Sequence, residues 1–142
     1  QGLAGLITIT DEAERRLELP SGEYDIPLVI QDRSFSQGNQ LRYMLNMHQR
    51  MRGFLGDTIL VNGQSDSAIA VKTRAYRLRI LNGSNSRIYK LGWDDGTPVI
   101  AIGTDGGLLE KPGFNKRDRQ GRMAVYRRSR IYGSGRISSC KG

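Results

Sequence analysis

The 142-residue sequence predicts an all-β domain, folded as a sandwich or a barrel. Three observations predict this class. Short apolar segments alternate with polar residues at a period of two, clusters of glycine, asparagine and aspartate separate these segments, and no repeat of roughly 20–50 residues is present. The length suits one domain with its own hydrophobic core.

The first part of the chain holds two strand candidates. Residues 3–10 (LAGLITIT) alternate small and large apolar residues with threonine, which favours a strand. Residues 11–22 are mostly charged, and they predict a helical turn that ends at a Pro-Ser-Gly sequence. Residues 24–32 (YDIPLVIQD) form the second candidate, and Pro27 places it at an edge or a bulge because proline lacks an N–H group.

The central part predicts further strands separated by turns. Residues 56–63 (GDTILVNG) form a strand between glycines, and the Asn-Gly pair at its end favours a tight turn. Residues 74–83 (RAYRLRILNG) give the clearest alternation, which is typical of a half-buried antiparallel strand with its arginines on the face opposite the core. Residues 87–93 alternate less cleanly, and residues 98–107 (PVIAIGTDGG) form an apolar strand ending in glycines.

The net charge of +8 is unevenly distributed. Residues 1–112 contain 13 basic and 13 acidic side chains, whereas residues 113–142 contain 9 basic side chains and one acidic. Residues 1–112 are therefore electrically balanced, and the whole basic excess of the chain lies in the last thirty residues.

No apolar run approaches the roughly 18 residues that a membrane span needs, so no membrane association is expected. The first residues lack the pattern of a signal peptide, and they resemble the interior of a longer protein.

Side chains that bind transition metals are scarce. The chain has one histidine, His48, and one cysteine, Cys140, and neither has a partner at metal-ligand spacing. Three methionines at positions 44, 47 and 51 follow helical spacing, which is compatible with a soft Cu(I) stripe but is more often apolar packing. We therefore assign no catalytic residue and no metal ligand, and we expect no cofactor in this chain.

Five segments, in this order, resemble the second cupredoxin domain of bacterial multicopper oxidases, the laccase, CueO-like and bilirubin oxidase group. They are QGLAGLITI (1–9), YDIPLVIQDRSF (24–35), GDTILVNG (56–63), RAYRLRILNGSNSRIYKL (74–91) and TDGGLLEKP (104–112). The first resembles the last strand of the preceding domain, and the others belong to the middle domain.

The resemblance implies a cupredoxin-like Greek-key β-sandwich or barrel, which is either complete or lacks its closing strands. It divides the chain into the last strand of a preceding domain (1–10), a middle cupredoxin-like domain (11–112) and a basic tail (113–142). Enzymes of this group hold four coppers on their first and third domains, oxidise phenols, anilines or metal ions, and reduce O₂ to water. The resemblance therefore implies a non-catalytic fragment of a laccase-like oxidoreductase, inactive alone, whose parent binds copper and is periplasmic or secreted. Its expected partners are the other cupredoxin domains of the parent enzyme. In an alternative arrangement, separate chains of an assembly supply the copper-binding domains. Asn82 and Asp105 are interpreted as structural turn residues.

The resemblance stops after Pro112. Residues 113–142 are rich in arginine, serine and glycine and alternate poorly, so we expect an irregular basic tail, and we interpret it as translated out of frame. Without closing strands the sandwich would expose an edge, and self-association is expected unless the tail replaces them in the sheet.

A second function class stays open from the sequence. The chain could be a small basic protein that binds nucleic acid or another polyanion through its tail, by phosphate charge and base stacking. Weak nonspecific polyanion binding follows from the charge alone. The residues assigned to this surface are Arg117, Arg119, Arg122, Arg127, Arg128 and Arg130.

Overall fold

A computed structural model describes residues 3–43, 47, 51, 53–92, 99–105, 107–114 and 122–127, with Phe114 and the last range described by backbone alone. The described part contains the helical turn α1 (Glu12–Arg15), a 3₁₀ turn at Gly22–Tyr24, and helical backbone at the single positions Met47 and Met51. Seven strands follow: β1 (Asp25–Phe35), β2 (Leu41–Arg42), β3 (Thr58–Val61), β4 (Tyr76–Asn82), β5 (Ile100–Thr104), β6 (Gly107–Phe114) and β7 (Arg122–Arg127). The all-β prediction is confirmed.

Strand β1 is the organising element of the sheet. Its first half pairs in parallel with β4, from Asp25 opposite Arg77 to Ile30 opposite Asn82. Its second half pairs antiparallel with β3, and its last two residues pair with β2. One long strand therefore fixes the position of three others.

Strand β7 lies inside the sheet, and this differs from the irregular tail that the sequence predicted. The strand order is β2-β1-β4-β7-β5-β6, so residues 122–127 pair antiparallel with both β4 and β5. The prediction of irregular structure is wrong for these six residues. Residues 123–126 (MAVY) form a continuous apolar run without alternation. Such runs are typical of strands that are covered on both faces. Self-association is expected only if the tail stays outside the sheet. Residues 122–127 pair within the sheet, so this segment does not meet that condition.

The core lies between β1, β3 and β4. Leu28, Ile30 and Val61 are buried at its centre. Partly buried apolar side chains surround them: Ile26, Ile59, Leu78, Ile80, Tyr89 and Leu91. Burial follows the alternation along β1, because Leu28, Ile30 and Asp32 share one face of the strand.

The Asn-Gly turn after β3 is confirmed and also closes an open edge of β1. Asn62 and Gly63 both have positive φ angles, 50° and 83°, which suit a tight hairpin turn. The Asn62 side chain reaches β1, where its Nδ2 donates to the Pro27 carbonyl at 3.0 Å and its Oδ1 accepts from Val29 N at 2.8 Å. This side chain replaces a neighbouring strand beside Pro27, as the edge position predicted for a proline requires.

Two segments predicted as strands pair with no strand of the described sheet. Residues 3–10 have no regular secondary structure, and their backbone makes no hydrogen bond to the backbone of another described residue. Their role as the last strand of a preceding domain stays a prediction. Residues 87–92 form no strand. They form a connection whose apolar members, Tyr89 and Leu91, pack against the core from outside the sheet, so their alternation reflects burial without strand pairing.

We predict that Gly56→Ala destabilises the fold by about 1–3 kcal/mol, because overpacking against rigid atoms cannot be relieved cheaply. A Cβ at Gly56 would lie 2.5–2.6 Å from backbone atoms of Arg33 in β1. Gly5→Ala is the matched control, since a Cβ there meets nothing within 4 Å. Urea denaturation measures both variants, and equal midpoints would contradict the close approach of these two segments.

Candidate functional site

A buried carboxylate connects three segments of the fold. Asp32 in β1 is 0% exposed, and its Oδ2 accepts from Gly56 N at 2.7 Å and from Arg87 Nε at 2.9 Å. Arg87 also donates through Nη2 to the Gly56 carbonyl at 2.6 Å, while Asp32 N donates to Ser84 Oγ at 2.9 Å. We call this group of Asp32, Gly56, Ser84 and Arg87 the Asp32 junction. It joins β1 to the segments that precede β3 and follow β4.

The junction favours the ionised form of Asp32. Burial alone would raise the pKa of this carboxyl, but hydrogen bonds from Arg87, Ser84 and Gly56 and the positive charge of Arg87 hold the pKa below its ordinary value. Burial also raises the pKa of Tyr89, whose hydroxyl lies 2.7 Å from Ser84 Oγ. The junction is thus a connection built on an ionised carboxylate and a guanidinium.

A second group of charges connects α1 to the sheet. Asp11 caps the helical turn by accepting from Glu14 N at 2.7 Å, which orients Glu14 toward β4. Glu14 Oε1 then accepts from Arg77 Nη2 at 2.5 Å and from Arg79 Nη2 at 2.8 Å. Arg79 Nε also donates to Asp25 Oδ2 at 2.9 Å. We call Glu14, Asp25, Arg77 and Arg79 the ion-pair cluster.

The ion-pair cluster is largely removed from solvent and electrically neutral. Arg77 is only 4% exposed, although the alternation of β4 predicted that its arginines lie on the face opposite the core. Burial opposes ionisation of Glu14, but hydrogen bonds and charge from Arg79 and Arg77 lower its pKa below the ordinary value. For Arg79, burial would lower the pKa, whereas bonds to Glu14 and Asp25 raise it. Two cations therefore neutralise two carboxylates at the point where the chain enters the domain.

Residues 3–9, the apolar arm, lie along a groove beside this cluster. The groove has a volume of about 820 Å³. It is lined by the arm, by Glu14, Arg77 and Arg79 of the cluster, by the end of β4 and by the β5–β6 hairpin. Ala4 approaches Gly83 so closely that a Cβ on Gly83 would lie 2.9 Å from the Ala4 Cβ. Leu6 is half-buried, whereas Leu3, Ile7 and Ile9 are 96%, 88% and 86% exposed. The arm therefore contacts this domain with one face and presents a second apolar face to solvent.

Most residues singled out from the sequence do not meet in one site. His48 and Cys140 lie outside the described residues, as do four of the tail arginines, Arg117, Arg119, Arg128 and Arg130. Arg122 and Arg127 stand at the two ends of β7, where only the backbone is described. The assignment of these six arginines to a polyanion surface stays a prediction.

The structural role predicted for Asn82 is confirmed. Its Nδ2 donates to the Arg87 carbonyl at 2.8 Å, and its Oδ1 accepts from Ser84 N at 3.0 Å. Asn82 therefore shapes the turn that carries two members of the Asp32 junction. The packing interpretation of the methionines is not supported for Met47 and Met51, whose side chains are 71% and 82% exposed.

Sequence analysis missed Glu14 and Asp32 as structural centres. Glu14 stands in a charged stretch that resembles an ordinary solvated turn. Asp32 did carry a signal, since its carboxylate occupies the same strand face as Leu28 and Ile30, where an apolar residue would be expected.

In the part of the chain that the structure describes, no three His, Cys, Asp or Glu side chains could hold a metal together. No helix there is long and apolar enough to cross a membrane.

Comparison with known proteins finds similarity to laccases, to FtsP cell division proteins and to multicopper oxidase structures. No protein-family model matches the chain. It is 43% identical to a laccase of Bacillus stratosphericus, over 78% of this chain and 24% of that protein. It is also 43% identical to the cell division protein FtsP of Xenorhabdus nematophila, over 78% of this chain and 23% of that protein. Among solved structures, a laccase-like multicopper oxidase CueO from Ochrobactrum sp. matches with a TM-score of 0.75 and 33% identity, covering 82% of this chain and 27% of the other. The chain spans about a quarter of the length of each of these three relatives.

We predict that Glu14→Gln destabilises the fold by about 1–3 kcal/mol, because it leaves the buried Arg77 and the half-buried Arg79 without their shared anion. Glu12→Gln in the same helical turn is the matched control. The Glu12 side chain is 64% exposed against 14% for Glu14, so its removal costs less than about 0.5 kcal/mol. Chemical denaturation at pH 7 measures the difference, and equal losses would contradict a buried role for the cluster.

We also predict that stability falls in acid through Asp32 and Glu14. Both carboxyls have a lowered pKa in the folded state, so their contribution is complete above the ordinary values of 3.8 and 4.5. It is lost as the pH falls through the lowered folded-state values. Asp32→Asn should reduce stability at pH 7 and flatten the decline between about pH 5 and about pH 2. Asp66→Asn, at an exposed turn, should keep the parent's stability at pH 7. A D32N curve parallel to that of the parent would show that Asp32 is not responsible.

Proposed function

Because the described part of this chain is a cupredoxin domain of the bacterial multicopper oxidase type, we propose that it acts as the non-catalytic middle domain of a laccase-like enzyme. In that role it holds neighbouring copper-binding domains in position and carries out no oxidation itself. Electron transfer from substrate and reduction of O₂ to water would take place in the rest of the parent protein.

The observation that carries this proposal is the apolar arm. A strand that is apolar on both faces is expected where it is covered from both sides. In this chain only the face with Ala4 and Leu6 is directed at the domain, while Leu3, Ile7 and Ile9 are exposed. The arm also lacks backbone partners among the described residues. A preceding cupredoxin domain that takes up residues 1–10 as its last strand would satisfy both requirements.

The ion-pair cluster supports the same role. It lies at the base of the arm, where Glu14 joins the first helical turn to Arg77 and Arg79 of β4. Such a connection restricts the direction in which the arm leaves the domain. A neighbour attached to the arm would therefore be held at a limited range of angles.

The ligand inventory also supports a role without catalysis. One histidine and one cysteine cannot supply the imidazoles and thiolate of a type 1 copper with a trinuclear cluster. The domain is shared at equal identity by proteins named as a laccase and as a cell division protein. A scaffold role is compatible with both names, because it requires no particular activity of the rest of the protein. By the same resemblance, we place the parent protein in the periplasm or outside the cell.

We predict that the chain alone leaves the backbone amides of residues 3–9 open to rapid hydrogen exchange. A first cupredoxin domain, supplied as a separate polypeptide, should protect them. Ile7→Asp should weaken this association at least tenfold, because it places a charge in the apolar contact. Ile88→Asp, at a comparably exposed apolar residue outside the groove, should leave it unchanged.

The same preparation tests the lack of catalysis. After aerobic incubation with Cu(II) and dialysis, the chain should retain no stoichiometric copper, show no blue colour and oxidise no phenol. Turnover by the chain alone would contradict the non-catalytic role. Absence of protection at residues 3–9, or equal effects of I7D and I88D, would contradict the role of the arm.

A further inference from the structure

Gly83, just beyond the end of β4, is the point at which the apolar arm approaches the domain most tightly. A Cβ on Gly83 would lie 2.9 Å from the Ala4 Cβ of the arm. It would also lie 3.0 and 3.1 Å from Cγ and Nε2 of Gln31 in β1. Packed carbon atoms ordinarily keep roughly 3.5–4.0 Å between them. The arm and β1 therefore leave room for the backbone of residue 83 and for no side chain.

Space is what this glycine provides, and not an unusual backbone conformation. Glycine is often required where φ is positive, as at Gly63 of the Asn-Gly turn, but the φ angle of Gly83 is not positive. The Gly83 N–H donates to the Ile30 carbonyl at 2.8 Å, which holds residue 83 against β1. Gln31 meets the added Cβ through a flexible side chain that can rotate away. The Ala4 Cβ is fixed to the arm, so a side chain at residue 83 would displace the arm itself.

The arm contacts the domain at two places that lie ten residues apart in sequence, Ala4 and Glu14. Ala4 lies beside Gly83, while Glu14 accepts from Arg79 Nη2 at 2.8 Å. Four residues of extended chain separate Arg79 from Gly83, which is roughly 13 Å. Ten residues of extended chain can span roughly 33 Å, so the segment between the two contacts is slack. The ion pair alone would let the arm pivot, whereas two contacts fix the line along which it runs.

We propose that Gly83 is a positioning residue, a seat for Ala4 that sets the direction in which the arm leaves the domain. This role rests on the proposed function, in which the arm is the connection to a preceding cupredoxin domain. A domain attached to a seated arm is held in one orientation, because its large exposed apolar side chains are presented along a fixed line. The seat also favours a small residue in the arm at the crossing point, which Ala4 supplies.

The test measures backbone motion of the arm in the full chain by ¹⁵N relaxation. In the parent, an NOE should join the Ala4 methyl group to the Gly83 α protons, and residues 3–7 should have the order parameters of rigid backbone, roughly 0.85. Gly83→Ala should lower these below about 0.6, the range of flexible segments. Gly92→Ala is the matched control, since a Cβ there meets nothing within 4 Å, and it should leave the arm unchanged. An ordered backbone without hydrogen bonds still exchanges its amide protons, so this result is compatible with rapid exchange at residues 3–9.

A reciprocal exchange separates an effect on the arm from an effect on β1. Ala4→Gly added to Gly83→Ala removes the atom nearest the new side chain, so the order parameters should return to the parent values. Recovery through Gln31→Ala instead would overturn the proposal, because the crowding would then lie within the domain. The proposal is also overturned if the parent shows no NOE between Ala4 and Gly83, if its arm is already mobile, or if Gly83→Ala leaves the arm ordered.

Urea denaturation shows whether Gly83→Ala stays folded. If it does not, the parent NOE and the reciprocal exchange variant still decide: a folded exchange variant with an ordered arm supports the seat, and an unfolded one overturns it. All of these measurements use the chain alone. Failure of the parent chain to bind a first cupredoxin domain would therefore count against the scaffold role, whereas the relaxation data decide on Gly83.

Discussion

The fold depends on one buried charge, the Asp32 carboxylate. It lies on the same face of the longest strand as the buried residues Leu28 and Ile30, and a charge there is unfavourable unless it is compensated. Compensation comes from the Gly56 amide and the Arg87 guanidinium, which belong to segments far apart in sequence. Because all of these segments must be in place before the charge is satisfied, the junction favours a single arrangement of the strands and connections around β1.

The two charge groups hold different parts of the molecule. The Asp32 junction fixes the interior of the sheet, and the ion-pair cluster fixes how the chain enters it. Both join a carboxylate to arginine, which is suited to partly buried pairs because its guanidinium stays charged and donates in several directions. The body of the chain is electrically neutral as a whole, and its most buried ion pairs are matched locally as well.

These features separate scaffolding from chemistry. Rigid connections around β1 and a neutral cluster at the base of the apolar arm are what a positioning domain requires. Under the proposed scaffold role, the side chains that transfer electrons belong to other parts of the parent protein. Relatives with different names share this domain at equal identity, and it spans about a quarter of their length.

The sequence by itself determined the fold class, the Asn-Gly turn, the edge position of Pro27 and the scarcity of copper ligands. Each of these follows from local chemistry: alternation, positive φ, a missing N–H group and residue counts. It failed where long-range contacts decide the outcome. Residues 87–92 have strand-like alternation but no strand partner, Arg77 is buried only because Glu14 reaches it from a distant turn, and residues 122–127 enter the sheet between β4 and β5. Burial of a charge depends on partners distant in sequence, so only the tertiary structure could reveal the Asp32 junction, the ion-pair cluster and the exposed face of the apolar arm.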